Sequence, residues 1–126
     1  MRPAGLLLTG FDRTPDARQR VAASGVPCVH LMETTRANDV YCVGFSQQDA
    51  GECMTQHLLG RGYRRIAFVA AQLDPRTLQR AEGYRRSLRA TGRYDPSLEL
   101  LRPEASSLRV GGELFAQLLR AHPDVD

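Results

Sequence analysis

Residues 46–70 of the chain read SQQDAGECMTQHLLGRGYRRIAFVA, and this stretch decides the fold. Ser46 can cap a helix, and Asp49 stands three residues later as the acid of an approximate capping box. The helix runs to about residue 59, where Gly60 and Gly62 are typical of a helix end. The apolar segment that follows, with IAFV at its centre, is typical of a buried strand. The stretch therefore predicts one helix–strand unit of an α/β fold.

The same alternation continues on both sides of this stretch. Thr14-Pro15 and Asp74-Pro75 each combine an N-cap residue with a proline at the first helical position. We predict strands over residues 4–8, 26–32, 40–45, 65–70 and 98–101, and helices from Thr14 to Gly25, from Ser46 to about residue 59, from Asp74 to Gly92 and over residues 108–120. Such alternation indicates an α/β fold with parallel sheets and flanking helices, which binds ligands beyond the carboxyl ends of its strands.

The composition fits a folded domain without special surface chemistry. The 126 residues are 42% hydrophobic, which allows a real core. The 17 basic residues, all of them arginine, exceed the 14 acidic ones and are spread along the chain. No helix-turn-helix, zinc finger or basic arm is visible, so we do not expect this chain to read DNA by itself. No apolar run is long enough to span a membrane, and we expect a cytoplasmic protein.

Enzymatic and metal-binding functions find no support in the residues. Cys28, Cys42 and Cys53 have neither the spacing of a metal site nor an even count, and we predict that Cys28 and Cys42 are buried free thiols. The chain contains no G-x-S-x-G elbow, no Walker A motif and no G-x-G-x-x-G fingerprint, and its three histidines are scattered. We therefore expect no catalytic residue, no metal and no cofactor.

The best local chemistry lies at the predicted helix start that follows residue 73. A helix N-terminus favours anions, and Arg76 and Arg80 are four residues apart, so they share one helical face. Guanidinium groups in this position suit a carboxylate or a set of vicinal hydroxyls. The residues alone leave two interpretations open, a site for an anion or sugar acid and a pair of surface arginines bonded to neighbouring acids.

The last residues bear on the extent of the domain. The helix predicted over residues 108–120 is followed by HPDVD, at residues 122–126. An α/β unit normally places its next buried strand at this point. We therefore expect the sequence to be a part of a longer polypeptide.

Several motifs together resemble the middle region of transcriptional repressors of the lactose-repressor (LacI) family. Residues 44–51 and 56–69 are similar to that family's small-residue helix followed by its HL…GH+RIA segment, where + is basic and Tyr63 replaces the usual histidine. Residues 80–84, RAEGY, match the family's R-x-x-G-[FYW] motif, and residues 5–9 resemble a strand that ends at its pocket. Residues 73–77 and 29–33 look specifically like the gluconate-operon repressors.

The resemblance implies a fold like that of periplasmic sugar-binding proteins, with two α/β lobes and the effector in the cleft between them. Residues 1–44 would be the later part of the N-terminal lobe and residues 45–126 the early part of the C-terminal lobe, with the DNA-binding helix-turn-helix absent from this chain. The residues that the resemblance assigns to effector binding are Arg80, Arg76, Thr77, Phe45, Thr9, Glu33 and Met32.

The implied function is the sensing of a small sugar or sugar acid of the gluconate kind, which controls operator binding allosterically. The implied partners are this effector, a second copy in a homodimer, and operator DNA, which is bound only through a segment missing from this chain. A sugar-binding receptor of the periplasmic type, without a role in transcription, is the alternative. No membrane partner is expected.

Overall fold

The computed structural model describes residues 3–10 and 13–126. The chain divides into two compact units, Met1–Ser46 and Gln47–Asp126. In both units every strand pair is parallel, as the alternation of strands and helices predicts. In the described part of the chain, no helix combines the length and the apolarity that a membrane crossing requires.

The first unit is a three-stranded parallel sheet with one helix. Its elements are β1 (Leu6–Thr9), α1 (Pro15–Ala23), β2 (Cys28–Leu31) and β3 (Tyr41–Val43). The strands lie in the order β1-β2-β3, and the register sets Thr9 beside Leu31 and Leu31 beside Val43. The carboxyl ends of the three strands therefore meet at one edge of the sheet.

Helix α1 begins where the sequence predicts. The Thr14 side chain accepts a hydrogen bond from the N–H of Ala17 at 3.2 Å, and Pro15 occupies the first helical position. Gly25, with φ of 64°, follows the last turn in the left-handed conformation that glycine adopts without cost.

The cysteines differ from their prediction. Cys28 and Cys42 are only half-buried, and Cys53 is exposed; all three are free thiols. The Cys28 thiol lines a cavity of about 400 Å³ between α1 and the sheet, together with Leu8 and His30. The predicted burial of Cys28 is wrong because α1 leaves this space beside the strands unfilled, and the predicted burial of Cys42 is wrong as well.

The second unit begins with α2 (Gln47–Gly60) and contains a two-stranded parallel sheet. Its other elements are β4 (Phe68–Ala71), α3 (Pro75–Ala90), a 3-10 turn (Pro96–Leu98), β5 (Glu99–Arg102) and α4 (Leu108–Ala121). Strand β4 starts three residues later than predicted, because its pairing with β5 begins at Phe68 beside Glu99. The backbone N–H groups of Arg64 and Arg65 instead donate to the Asp126 carboxylate at 2.8–2.9 Å.

Two apolar clusters cover the two faces of this sheet. Helix α4 packs on one face through a cluster that consists of Leu98, Leu100, Val110, Leu114 and Leu118. Helix α3 packs on the other face through Tyr84 and Leu88, which lie with Ile66 in the second cluster. The Tyr84 hydroxyl donates to the Ile66 carbonyl at 2.8 Å, so the buried phenol is satisfied. On α3, Ala81, Tyr84 and Leu88 are buried, whereas Leu78 is 43% exposed.

Helices α2 and α3 approach each other at two glycines. A Cβ atom on Gly51 would overlap the backbone of Arg80, and a Cβ atom on Gly83 would overlap the Gln48 carbonyl and lie 2.6 Å from the Glu52 nitrogen. Only glycine permits this backbone-to-backbone packing.

We expect Gly83→Ala to destabilise the protein by at least about 2 kcal/mol, because the added methyl group meets backbone atoms that cannot rotate away. The measurement is urea unfolding of the full native polypeptide, followed by circular dichroism. The matched control is Gly112→Ala on α4, where a Cβ atom would meet nothing within 4 Å. That variant should be more stable by about 0.5–1 kcal/mol, since alanine favours the helix. Equal effects of the two substitutions would contradict the close packing.

Candidate functional site

The start of α3 lies directly beyond the carboxyl end of β4. Asp74 caps the helix, and its Oδ1 atom accepts from the backbone N–H of Thr77 at 2.8 Å. Arg76 donates from Nη2 to Oδ2 of the same carboxylate at 3.2 Å. The Thr77 N–H, with smaller contributions from the Thr77 hydroxyl and Arg76, holds the pKa of Asp74 below its usual value. The positive end of α3 thus already faces one carboxylate of its own chain.

Gln72 connects the loop that follows β4 to the loop that follows β5 through hydrogen bonds. Its backbone adopts the left-handed conformation, with φ of 53°, which is uncommon for a residue other than glycine. Its N–H donates to the Glu104 carbonyl at 2.7 Å, and its Oε1 accepts from the N–H and hydroxyl of Ser106 at 3.2 and 3.3 Å. Strained backbone of this kind recurs at binding sites, where the surrounding contacts maintain it.

Arg80 lies one helical turn beyond Arg76 and is held from α2. Its Nε donates to Oε1 of Gln47 at 2.8 Å. Gln47 is the first residue of α2, and only 1% of it is exposed, whereas Arg80 itself lies at the surface. The two terminal nitrogens of the guanidinium group make no hydrogen bond to any described residue.

The other arginines of α3 are all paired with carboxylates. Arg76 pairs with Asp74, Arg85 with Glu82 and Glu99, Arg86 with Glu52, and Arg89 with Glu82, at 2.6–3.6 Å. The Arg85–Glu99 pair is the most buried of these, with the Glu99 side chain 8% exposed. Burial alone would raise the pKa of Glu99, but the hydrogen bonds from Arg85 and Tyr94 and the charge of Arg85 hold it below its usual value. Arg80 is therefore the α3 arginine whose charge no described carboxylate neutralises.

The carboxyl edge of the first unit carries its own polar groups. Thr9 ends β1 and is exposed, and Arg13 donates from its terminal nitrogens to the Thr9 and Gly10 carbonyls at 3.0 and 2.7 Å. The Nδ1 atom of His30 lies 3.2 Å from the Gly10 carbonyl oxygen. These contacts meet at the carbonyl of Gly10, the residue directly after β1.

Residues beyond β2 and β3 complete this edge. Met32 adopts a left-handed backbone with φ of 67°, its N–H donates to the Val43 carbonyl at 2.8 Å, and its side chain is half-exposed. Glu33 is buried, at 7% exposure. A Cβ atom on Gly44 would overlap the Met32–Glu33 peptide, so Gly44 allows the two segments to touch. Phe45, which follows, is 48% exposed.

The seven predicted effector residues thus fall into two groups. Arg76, Thr77 and Arg80 share the first turns of α3 in the second unit. In the first unit, Thr9 is the last residue of β1, Met32 and Glu33 follow β2, and Phe45 follows β3.

Sequence reasoning missed two residues. Gln47 holds the side chain of Arg80, and Gln72 holds the loops that follow β4 and β5. Nothing in the sequence distinguishes Gln47 from its neighbour Gln48, because the difference lies in which side chain faces α3. Gln72 could have been suspected only from its place directly after an apolar strand.

Each edge, taken by itself, offers groups that suit reversible binding of a polar ligand. The start of α3 presents exposed guanidinium groups, and the carboxyl edge of the first unit presents the exposed Thr9 and the ring of Phe45. Within residues 3–10 and 13–126, no three His, Cys, Asp or Glu side chains are grouped so that they could hold a metal ion.

Comparison with known proteins places the whole chain in one family. All of residues 1–126 match the family described as periplasmic binding proteins and sugar binding domain of LacI family. The HTH-type transcriptional regulator GntR of Pseudomonas aeruginosa is 56% identical over 99% of the chain, and its namesake in Escherichia coli K12 is 33% identical over 97%. The chain spans 36% of the length of each of these relatives. Both relatives are named as transcriptional regulators, which agrees with the resemblance found in the sequence.

Solved structures show the same fold. The transcription regulator GntR from Chromobacterium violaceum is 42% identical, with a TM-score of 0.90 over 99% of this chain and 46% of that one. A complex of the regulator CelR with cellobiose is 31% identical, with a TM-score of 0.74 over 98% of this chain and 38% of that one. These similarities confirm the predicted α/β class of fold with parallel sheets.

Proposed function

Because this chain belongs to the family of periplasmic binding proteins and LacI-type sugar-binding domains, we propose that it senses a sugar acid of the gluconate kind for a transcriptional regulator. The family membership confirms the resemblance found in the sequence. The nature of the effector is inferred from the charge and geometry of α3 and from the similarity to GntR regulators.

The observation that carries the proposal is that Arg80 pairs with a neutral amide and with no described carboxylate. The other arginines of α3 have carboxylate partners. No described carboxylate pairs with Arg80, and no described residue forms a hydrogen bond with its two terminal nitrogens. A guanidinium group with its terminal nitrogens available binds a carboxylate through two parallel hydrogen bonds. A sugar acid supplies this carboxylate and hydroxyl groups on the same small molecule.

Arg76 and Thr77 contribute less than Arg80 in this proposal. Arg76 shares its charge with Asp74, and the Thr77 backbone is already bonded to the same carboxylate. A half-exposed Arg76 side chain retains donors for an effector hydroxyl. We therefore assign the anionic contact to Arg80 and hydroxyl contacts to Arg76 and Thr77.

The first unit carries the other residues that we propose as effector contacts. The Thr9 hydroxyl and the Glu33 carboxylate are suited to sugar hydroxyls, and Phe45 and Met32 offer apolar surface to the carbon chain. A sugar acid presents both hydroxyl groups and apolar C–H surface, so this mixture of residue types supports the proposal that these residues contact the effector.

Regulation is proposed to follow from a shift between two states. The effector stabilises the state to which it binds more tightly, and the states differ in their affinity for operator DNA. In this proposal the working regulator is a homodimer, and DNA contact belongs to residues outside this sequence. The curated relatives, which are named HTH-type regulators, support this function over that of a sugar receptor without a role in transcription.

We expect calorimetric titration of the full native polypeptide to show saturable binding of gluconate, with glucose and 6-phosphogluconate measured beside it. Arg80→Ala should weaken gluconate binding by about 10- to 100-fold, because it removes hydrogen bonds to a charged group. Arg76→Ala should weaken it several-fold. Arg86→Ala, which removes the same charge from a distant turn of α3, is the control and should leave binding unchanged. Binding of none of the three compounds would exclude the proposed effector class.

We also expect Arg80→Ala to abolish the response to effector while operator binding persists, since Arg80 acts on the effector and not on DNA. Mobility-shift titrations of operator DNA with and without gluconate measure both quantities. If the variant loses operator binding as well, Arg80 has a structural role instead, and circular dichroism of the variant would show the accompanying loss of fold.

A further inference from the structure

We propose that Gln47 is a positioning residue, which orients the Arg80 guanidinium toward an anionic effector without neutralising its charge. The inference deepens the proposed function and rests on it for the nature of the effector.

The geometry of the contact selects one nitrogen of the guanidinium group. Gln47 accepts from Nε, which is the donor nearest to the Arg80 backbone, at 2.8 Å. A guanidinium group is planar and rigid, so fixing Nε also fixes the direction of both terminal nitrogens. The pair of donors that forms a two-bonded contact with a carboxylate is left for the effector.

Burial restricts the conformational freedom of the Gln47 side chain. Only 1% of Gln47 is exposed, and it begins α2, whose backbone is held against α3 at Gly51 and Gly83. A side chain enclosed in this way has little rotational freedom to lose when the effector binds. Preorganisation of the arginine therefore lowers the entropic cost of binding.

The neutral amide explains why a glutamine suits this position. A carboxylate at the same place would form an ion pair with Arg80, like the pairs of Arg85 and Arg86 on the same helix. That pair would cancel the charge that an acidic effector needs and would repel its carboxylate. The amide oxygen also accepts from Nε, at 2.8 Å, and leaves the charge of Arg80 without a counter-charge.

The experiment compares Gln47→Glu and Gln47→Ala in the full native polypeptide by calorimetric titration with D-gluconate. Gln47→Glu should weaken gluconate binding by about tenfold or more, and Gln47→Ala should weaken it less, because the freed arginine keeps its charge. A purely structural role predicts the reverse order, since glutamate nearly preserves the packed volume whereas alanine leaves a cavity. Binding in Gln47→Glu as tight as in the native protein, or tighter than in Gln47→Ala, would overturn the inference.

Gln79→Glu is the matched control. It adds the same charge at an exposed position one residue from Arg80, on α3 itself. We expect gluconate binding of this variant to stay within about threefold of the native value, since an exposed charge is screened by solvent. A loss as large as that of Gln47→Glu would mean that the effect does not pass through the contact with Arg80.

A second measurement separates failure of this inference from failure of the proposed effector. NMR of arginine side chains without any effector should show a slowly exchanging Nε–H signal, absent in Arg80→Lys and exchanging rapidly in Gln47→Ala. A signal unchanged in Gln47→Ala would overturn the positioning role. If the native polypeptide binds no gluconate, the effector class is wrong, and the Nε–H signal still decides whether Gln47 holds Arg80.

Discussion

The close approach of α2 and α3 at Gly51 and Gly83 is the constraint on which the second unit depends. At these positions backbone meets backbone, so neither helix can shift without losing van der Waals contact along its length. The same approach brings Gln47 within 2.8 Å of the Arg80 guanidinium. The spacing of Arg80 and Gly83 in the RAEGY segment therefore has a physical reason: the glycine permits the helix contact that positions the arginine one turn earlier.

Most arginines of α3 form ion pairs within the protein, and one is left for the proposed ligand. The arginines from Arg85 to Arg89 face carboxylates, and the buried pair of Arg85 with Glu99 joins α3 to β5. At the other end of the helix, Asp74 takes up the charge of Arg76 and caps the first turn. Arg80 stands between these groups with a neutral partner. Among the arginines of this helix, Arg80 is therefore the one that an anionic ligand can bind without first breaking an ion pair with a described carboxylate.

Local rules made much of the fold predictable. The caps at Thr14 and Asp74 depend on three or four adjacent residues, and both helices begin where these residues predict. Properties that depend on residues far apart in the sequence were not predicted. Leu78 has the right spacing for the core but stays 43% exposed, and no sequence pattern shows that Gln47 is buried against α3. The placement of the candidate residues at strand ends agrees with the predicted parallel topology, whereas the contact that orients Arg80 depends on the packing of two helices.

The most direct test of the central claim is an experimental structure of the full native polypeptide with gluconate bound. We expect the terminal nitrogens of Arg80 to lie about 3 Å from oxygens of gluconate, with Nε still bonded to Gln47. The effector should then add to the contact found here and not replace it. Gluconate bound away from Arg80, or an Arg80 side chain that leaves Gln47 to reach it, would contradict the account.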